Sequence, residues 1–387
     1  MIEHMSPGLF DVTAEQREIG ILAREIAQRE IAPHIAAWDR AHHFPRDLYT
    51  KLNAVGLMGI VVPERYGGAG ADYVSYALAV EELARVDAGT AVTLSVHAMI
   101  ASAIVRLGTP EQKERYLPRL AAGDVIAGFA LTEPGAGSDA AALTSTARRD
   151  GENYVLFGRK QWCTNGSFAG VTMSMFRTGA SGAKGVSAFL IERDTPGYIV
   201  EKVTEKLGIH TSNTCDLVFE GVRVPHGAML GDEGTGFSMA LSALTAGRIG
   251  IAAQATGILA ACLDASIAFA REREAFGKRI AAFEGVSFKI AQMATDLDAA
   301  RLLVYRAASL CDRGLPFAIE ASKAKLFAST AARKHASEAL QIHGGYGYTT
   351  EFPVERYYRD AKITEIYEGT SEIQQVIIAR SLLGRFD

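Results

Sequence analysis

The sequence predicts an α+β protein built in three consecutive parts, and the spacing of its apolar residues is the main reason. The chain has 387 residues, enough for two to three compact units at roughly 150 residues per domain. Up to residue 123 apolar side chains recur at helical spacing, as at Ile19, Leu22 and Ile26. From 124 to 230 short apolar runs are separated by glycine and polar turns, which is typical of strands, and helical spacing returns after Gly234. Because no βαβ alternation occurs, a doubly wound sheet is disfavoured.

The individual elements follow from the same patterns. In the first part, after the segment that begins near Thr13, helices are predicted at 73–86, 88–107 and 110–122. In the second part, strands are predicted at 154–157, 171–176, 186–192 and 217–224. At least four helices are predicted in the third part, with breaks near Gly277, Gly314, Gly344 and Gly369. The predicted domains are therefore 1–123, 124–232 and 233–387.

Composition and charge narrow the functional classes. Hydrophobic residues make up 48% and charged residues 22% of the chain, as in ordinary packed proteins. With 40 basic and 44 acidic residues the net charge is -4, which provides no strong field for nucleic acid or an anionic membrane. Neither a GxGxxG turn between a strand and a helix nor a Walker GxxxxGK[ST] sequence is present, which disfavours the common nucleotide-binding folds.

The cysteines and the N-terminus indicate a cytoplasmic protein. The four cysteines lie about fifty residues apart without a CxxC pair, which disfavours a disulfide framework and a zinc site, and no metal is expected. Residues 1–10 have neither the basic region nor the apolar run of a signal peptide, so no export is predicted. The uncharged run 88–105 is long enough for a membrane helix, but five polar residues interrupt it and a buried core helix is predicted.

Two glycine-rich or aromatic segments in the middle of the chain are candidate binding elements. Residues 130–139 (ALTEPGAGSD) are small enough for backbone N–H groups to approach a ligand, and Thr132 and Ser138 add hydroxyl groups. The alternative is an ordinary turn. Trp162, within 160–166, is a candidate stacking wall for a flat ring. The alternative is a core tryptophan in front of a loop.

Two further candidate segments lie near the C-terminal end. Residues 341–348 (QIHGGYGY) form a glycine-rich break after a helix, for which a helix C-cap is the structural alternative. Ser371 with Gln374 predicts a capping box, which places Glu368 in the loop before a helix. Burial would raise the pKa of that carboxylate and the helix N-terminus would lower it, so Glu368 is a candidate base. The alternative is a glutamate favoured only by the helix dipole.

Together these segments resemble the acyl-CoA dehydrogenase family over nearly the whole chain, from about Phe44 to Leu383. Two motifs are specific to this resemblance, residues 130–139 and the set running from Gln341 to Asp360. Further segments that support it are 56–60, 63–68, 206–209 and 273–277. The segments 247–250, 358–362 and 367–374 are most similar to the short-chain, or butyryl, branch of the family.

The resemblance implies an architecture, a cofactor and partners. The implied fold has an N-terminal all-helical domain, a central β-barrel-like domain and a C-terminal four-helix bundle. FAD would be held between the subunits of a homotetramer arranged as a dimer of dimers. The substrate would be an acyl-CoA, and electrons would pass to an electron-transfer flavoprotein. The resemblance implies neither nucleic-acid binding nor membrane insertion.

Carried over by position, the resemblance implies three sets of contacts. The flavin would be lined by Phe129, Leu131, Thr132, Gly137, Ser138, Trp162, Cys163 and Thr164, and completed by Thr370, Ser371 and Glu372. The FAD of the neighbouring subunit would be reached by Arg273, Phe276, Gln341, Ile342, Gly344 and Gly345. The CoA thioester would lie near Ser138, Thr245, Arg248, Tyr367 and Gly369.

The resemblance also implies which residue is the catalytic base. Isovaleryl-type members carry the glutamate just before the arginine that matches Arg248, where this chain has Gly247. Glu368 occupies the alternative position and is therefore expected to remove the α-proton of the acyl-CoA. The β-hydrogen would leave as hydride to the flavin, which gives a trans-2-enoyl-CoA. One departure from the family is Glu284, which stands where a cofactor-contacting glutamine is usual.

Two other functions stay open at this point. One keeps the fold but makes the protein a flavin oxidase or monooxygenase, with oxygen in place of the partner flavoprotein. The other is a silent CoA-binding subunit of a hetero-oligomer, against which the intact Glu368 and flavin motifs argue.

Overall fold

The computed structural model describes residues 12–384, in which helices come first, a sheet follows and helices return. The α+β class and this order are confirmed. The segment 1–10, where the sequence lacks a signal-peptide pattern, lies outside the described residues.

Between residues 12 and 123, six helices form the first part of the fold, and most begin at a recognisable cap. Thr13 and Thr109 each form a capping box, with Gln16 and Gln112, and Asp72 and Asp87 cap their helices through side-chain carboxylates. The predicted helices 73–86 and 110–122 end within two residues of their predicted limits. The helices are α1 (Ala14–Glu30), α2 (Ile35–Arg40), α3 (Arg46–Ala54), α4 (Tyr73–Ala84), α5 (Ala88–Leu107) and α6 (Pro110–Ala121).

A single eight-stranded sheet forms the middle part. Its strand order is β6-β7-β3-β2-β4-β5-β8, with β1 added in parallel on β4. Aromatic side chains fill one face, where Phe176 and Phe219 meet edge to face at 5.0 Å between ring centroids. The strands are β1 (Ile126–Ala130), β2 (Thr146–Asp150), β3 (Asn153–Thr164), β4 (Ala169–Arg177), β5 (Val186–Glu192), β6 (Tyr198–Val203), β7 (Thr214–Pro225) and β8 (Met229–Leu230).

From residue 233 to residue 384, five helices and a small hairpin form the last part. The long helices α7, α8 and α9 pack on one another, and α10 and α11 pack against α9. The hairpin of β9 and β10 projects between α7 and α8. These elements are α7 (Gly236–Glu272), β9 (Glu274–Ala275), β10 (Lys278–Arg279), α8 (Glu284–Asp312), α9 (Ala318–His343), α10 (Val354–Ile363) and α11 (Ser371–Leu383).

The predicted capping box at the start of α11 is wrong. The N-cap is Thr370 instead of Ser371, and its hydroxyl oxygen accepts from the Ile373 N–H at 3.4 Å. Gln374 turns its side chain back to the carbonyls of Glu368 and Gly369 instead of closing the box. The Gln374 amide, which the sequence pattern assigned to capping, therefore bonds the loop before α11 instead.

Ion pairs tie the first part of the chain to the last. On α4, Glu81 accepts from Arg301 of α8 at 2.6 Å, and both side chains are largely removed from water. Removing one partner of this pair would leave an uncompensated buried charge, so the contact fixes how α4 lies on α8. Arg85, at the end of α4, also pairs with the partly exposed Asp264 of α7.

Two helices are long and apolar enough to cross a membrane by length and composition alone, α5 and α7. Most of each is buried inside the fold, as expected for core helices. We keep the domain limits 1–123, 124–232 and 233–387 as a proposal.

Candidate active site

The loop between α10 and α11 holds Glu368 in an unusual backbone conformation. Glu368 has a φ of 54° and Gly369 a φ of 88°, both in the left-handed region. Glycine adopts this region freely, but a glutamate does so only when its surroundings compensate the strain. The loop around Glu368 therefore needs support from neighbouring elements.

That support comes from two buried side chains. Lys325 of α9 donates from Nζ to the Gly369 carbonyl at 2.7 Å. Gln374 of α11 donates from Nε2 to the same carbonyl at 2.8 Å and to the Glu368 carbonyl at 3.2 Å. Both carbonyls that flank the left-handed turn are thus satisfied from the protein interior.

The Glu368 carboxylate points at α7. Its Oε2 is removed from solvent and, within the described residues, has no hydrogen-bond partner. A β-carbon added to Gly247 would lie 2.7 Å from this oxygen and 2.9 Å from Met99 Sδ of α5. The missing β-carbon of Gly247 thus leaves room for the Glu368 carboxylate, so the two positions that the resemblance implies for a glutamate lie side by side.

The charge state of Glu368 is set by opposing effects. Burial raises its pKa to about 7, and the cations Arg248 and Lys325 oppose that rise. Arg248 is itself buried, and the Arg248 Nε has no hydrogen-bond partner among residues 12–384. Burial lowers the pKa of Lys325 to about 8. The result is a carboxylate that titrates near neutral pH, as a general base requires.

Beyond the carboxylate, the pocket is closed by polar groups that satisfy one another. Tyr76 Oη donates to Ser95 Oγ at 3.0 Å, and a β-carbon at Gly250 would collide with both oxygens. Tyr367 Oη donates to Gln254, whose amide in turn donates to the Ala88 carbonyl at 2.7 Å. Two buried acceptors at this loop, Glu368 Oε2 and Gln374 Oε1, have no hydrogen-bond partner among residues 12–384.

Sequence reasoning missed most of this pocket wall. Tyr76, Ser95 and Met99 come from α4 and α5, about 270 to 290 positions before Glu368, and nothing local marks them. One signal was available: glycines recur at 247, 250 and 257 on α7, and small residues at such spacing let neighbouring helices approach. Lys325, a lysine on the buried and mostly alanine face of α9, was a second signal.

The glycine-rich loop 130–139 is rigid at its base and open at its tip. Burial opposes the charge on Glu133, but Lys160 at 2.7 Å and donors from Thr144 and Ser145 lower the pKa of Glu133 to about 2. At Gly137 an added β-carbon would meet nothing within 4 Å. An ordinary surface turn has the same tethered base and exposed tip, so both interpretations fit these contacts.

A second strand brings Trp162 to this loop. The Gln161 N–H donates to the Thr132 carbonyl at 2.8 Å, which sets the end of β3 beside the loop. Trp162 is 58% exposed, so the core-tryptophan alternative is wrong. Cys163 points into the sheet core, so a ligand here would meet its backbone and not its thiol. Phe129, Leu131 and Thr164 lie at the adjoining ends of β1 and β3, partly or fully buried.

A third group of predicted residues lies at the far end of α7. Arg273 stacks on Tyr346 with its guanidinium carbon 5.4 Å from the ring centroid, which joins the hairpin to the segment 341–348. Gly344 ends α9 with a φ of 59°, so the C-cap interpretation is correct there. Gln341, Gly344 and Gly345 are exposed, whereas Ile342 packs in the core.

Phe276 has an unusual position for a large apolar side chain. It sits at the tip of the hairpin, is 95% exposed and has a φ of 52°, so it is both strained and solvated. Arg273 follows Gly247 by 26 positions along α7, about 39 Å at 1.5 Å per residue. In one chain the hairpin and the Glu368 pocket are therefore at opposite ends of this helix.

The remaining predicted residues surround Glu368 or face solvent. Thr370, Ser371 and Glu372 begin α11 directly after the loop. Thr245 lies half-buried one turn before Arg248 on α7, and Ser138 is exposed at the tip of the glycine-rich loop. Among residues 12–384, no three His, Cys, Asp or Glu side chains come together as a metal-binding group.

Three family models match nearly the entire described chain. They are described as acyl-CoA dehydrogenase N-terminal domain (residues 13–124), middle domain (128–222) and C-terminal domain (234–383). Helices, sheet and helices fall into these three matches in the same order.

Curated proteins and solved structures agree with this match. An acyl-CoA dehydrogenase of Bacillus subtilis (strain 168) is 50% identical over 96% of this chain and 99% of its own length. The mitochondrial short-chain specific acyl-CoA dehydrogenase of Mus musculus is 46% identical, over 93% of this chain and 88% of its own.

Two solved structures superpose closely. Butyryl-CoA dehydrogenase from Megasphaera elsdenii has a TM-score of 0.95 at 42% identity, over 97% of this chain and 99% of that one. A chain from a structure described as an electron transferring flavoprotein of Acidaminococcus fermentans has a TM-score of 0.96 at 45% identity, over 97% and 100%. The chain therefore belongs to the acyl-CoA dehydrogenase family, in its short-chain branch, and is an oxidoreductase that acts on an acyl-CoA.

Proposed function

We propose that this enzyme removes the α- and β-hydrogens of a short-chain acyl-CoA, with FAD as cofactor and Glu368 as base, to give a trans-2-enoyl-CoA. The observation that carries the proposal is the Glu368 Oε2 atom, buried without a partner beside Gly247. An unpaired carboxylate oxygen in an apolar site is costly to keep, and abstraction of a proton from carbon is a task that needs it.

The position of the polar groups supports a short acyl chain. Gly247, beside the carboxylate, and Gly250, beside the Tyr76–Ser95 pair, lie one turn of α7 apart, about 4.5 Å. Gln254 follows one further turn along. A chain entering past Glu368 would soon meet these hydroxyl and amide groups, which a longer alkyl chain would have to desolvate.

The glycine-rich loop and Trp162 fit FAD. Thr132, Gly137 and Ser138 have backbone N–H groups that, within residues 12–384, have no internal acceptor, and Trp162 presents a free ring next to them. Such donors suit the heteroatoms of an isoalloxazine, and the indole suits its flat face. When bound, FAD would accept the β-hydrogen as hydride.

The chain's own residues hold and move the proton. Glu368 takes the α-proton on Oε2, and Arg248 and Lys325 favour the ionised form that precedes this step. The Glu368 N–H has no acceptor among residues 12–384 and is free to bind the thioester oxygen. A donor placed where negative charge develops is worth about 3–4 kcal/mol.

We further propose a homotetramer built from dimers, with electrons passed to an electron-transfer flavoprotein. The separation along α7 supports shared cofactor sites, because Arg273 and Phe276 can serve the same FAD as Glu368 only if they come from a second copy. The match to the A. fermentans chain supports the electron acceptor. A cytoplasmic location stays a prediction.

The test of the function is anaerobic bleaching of bound flavin by acyl-CoA thioesters from C4 to C16, branched ones included. Short chains should bleach the flavin fastest. Glu368→Gln should bind the flavin but lose at least about 10²-fold in rate, because the base is gone. Glu365→Gln, three residues away, should behave as wild type. Peroxide formed in step with acyl-CoA consumption would instead favour the oxidase, and a preparation without flavin absorbance the silent subunit.

The fall of kcat/KM at low pH, the acid limb of the pH profile, should follow the titration of Glu368. Since Glu368 must be ionised, kcat/KM should rise with pH through about 7. The same raised pKa makes the folded state lose stability as pH rises from about 4.5 to 7, so Glu368→Gln should exceed wild type in Tm at pH 8 and match it near pH 4.5. A flat profile between pH 6 and 8 together with equal Tm values at pH 8 would contradict a buried base.

Gly247→Ala should damage catalysis without damaging the fold. Its β-carbon would push the carboxylate away from the substrate, and a misplacement of about 1 Å can cost about 10²-fold in rate. Alanine is also the better helix former, so Tm should not fall for that reason. Gly20→Ala on α1, where the added carbon meets Leu78 at an ordinary 3.5 Å, is the matched control. Full activity in Gly247→Ala would show that the carboxylate does not act from the position seen here.

Phe276→Ser should weaken FAD retention and subunit association together. If the hairpin reaches a neighbour's cofactor, flavin should dissociate on gel filtration at a protein concentration at which wild type keeps it. Ile21→Ser, another exposed apolar residue, should change neither property. Flavin content and oligomer mass, measured by absorbance and light scattering, decide the matter, and wild-type values for both would refute the shared site.

A further inference from the structure

Two buried side chains near the active site make hydrogen bonds that the proton transfer described above does not use. Lys325 and Gln374 are both fully buried, at 0% exposure. Each donates hydrogen bonds to backbone carbonyls of the loop that carries Glu368. Both side chains therefore act on the backbone of that loop.

A purely structural role would not explain a lysine at position 325, because a buried charge lowers the stability of the fold. Within residues 12–384 it makes no salt bridge, and its hydrogen bond is to the neutral carbonyl of Gly369. A buried ammonium without an anionic partner costs stability, and an apolar side chain could fill the same space in the alanine-rich face of α9. The chain therefore has a charge and a hydrogen-bond donor at position 325 although the buried charge lowers the stability of the fold.

The backbone conformation of the loop explains why a buried lysine is present despite its effect on stability. Glu368 has the left-handed φ of 54°, and a relaxed backbone at this residue would turn its side chain away from Gly247. Lys325 from α9 and Gln374 from α11 bond the carbonyls of the same turn from two sides. The turn is therefore held by two elements that are themselves packed together.

We propose that Lys325 is a positioning residue for the catalytic carboxylate: with Gln374 it clamps the Gly369 carbonyl, so that the left-handed turn keeps Glu368 beside Gly247 and in a cationic environment. The proposal rests on the function proposed for Glu368. We name Lys325 and Gln374 the loop clamp.

The two members of the loop clamp differ in electrostatic effect. Lys325 carries a charge that favours the ionised Glu368, whereas Gln374 is neutral. The other titratable groups around the carboxylate are Arg248 on α7, Tyr76 on α4 and Tyr367 in the loop, and Glu365 and Glu372 also face Lys325. Loss of Lys325 would leave Arg248 as the cation that opposes the effect of burial on Glu368.

Three variants separate the hydrogen bond from the charge. Lys325→Gln keeps a donor but removes the charge, so the acid limb of the flavin-reduction rate should move up by about one pH unit with little change in the high-pH plateau. Gln374→Leu should lower the plateau about tenfold and leave the limb in place. Lys325→Met should do both. Lys323→Met, two residues away on the same helix, should do neither.

Several results would overturn the loop clamp. One is a wild-type limb and plateau in Lys325→Met, and another is an equal shift in Lys323→Met, which would reveal a general charge effect. If Lys325→Met does not fold, the other two variants decide: unchanged profiles in Lys325→Gln and Gln374→Leu reject the proposal.

A second measurement does not depend on turnover. Infrared titration detects the protonated carboxyl band that is lost in Glu368→Gln, and its midpoint should rise in Lys325→Gln relative to wild type. An unchanged midpoint rejects the electrostatic part of the loop clamp. Should wild type fail to reduce its flavin with any acyl-CoA, the proposed function fails, while this titration still tests the proposal on Lys325.

Discussion

The structure of this site depends on one constraint: a carboxylate oxygen is kept dry and unpaired. Glu368 Oε2 has lost water without gaining a hydrogen bond in the described chain, which raises the pKa of Glu368 to about 7. Compared with the unfolded chain, the ionised form above pH 7 costs on the order of 3 kcal/mol of folding stability. Against a total of roughly 5–15 kcal/mol, such a cost persists only where the rest of the fold offsets it.

The offset comes from the way the helices close around the carboxylate. Glycines of α7 let α4 and α5 approach until hydroxyls and backbone lie where β-carbons would otherwise be, as at Gly250 and Gly257. Ion pairs such as Glu81 with Arg301 then fix α4 on the C-terminal helices. Close packing excludes water from the carboxylate, and this exclusion, more than any single contact, raises the pKa of Glu368.

The sequence predicts the fold and singles out Glu368, but it does not predict the surroundings of Glu368. The α+β order follows from local periodicity, and Glu368 follows from a motif resemblance. Tyr76 and Met99 could not be found in this way, because their roles arise from contacts between helices far apart in the chain. Lys325 was marked only by its charge on the buried face of α9, and that pattern does not show which loop it contacts. The error at Ser371 has the same origin: the local pattern predicted a cap, but the Gln374 amide is better used on the buried carbonyls of the preceding turn.

The meeting of positions 247 and 368 at one point explains why the loop needs outside support. A glutamate on α7 would be aimed by a helix whose backbone is fixed by its own hydrogen bonds. A glutamate on a loop has no such frame, and a left-handed residue stays in place only if its neighbours hold it. A carboxylate carried on a loop therefore depends on contacts from other elements for its position. In this chain α9 and α11 make such contacts, because Lys325 and Gln374 donate to the carbonyls of Glu368 and Gly369.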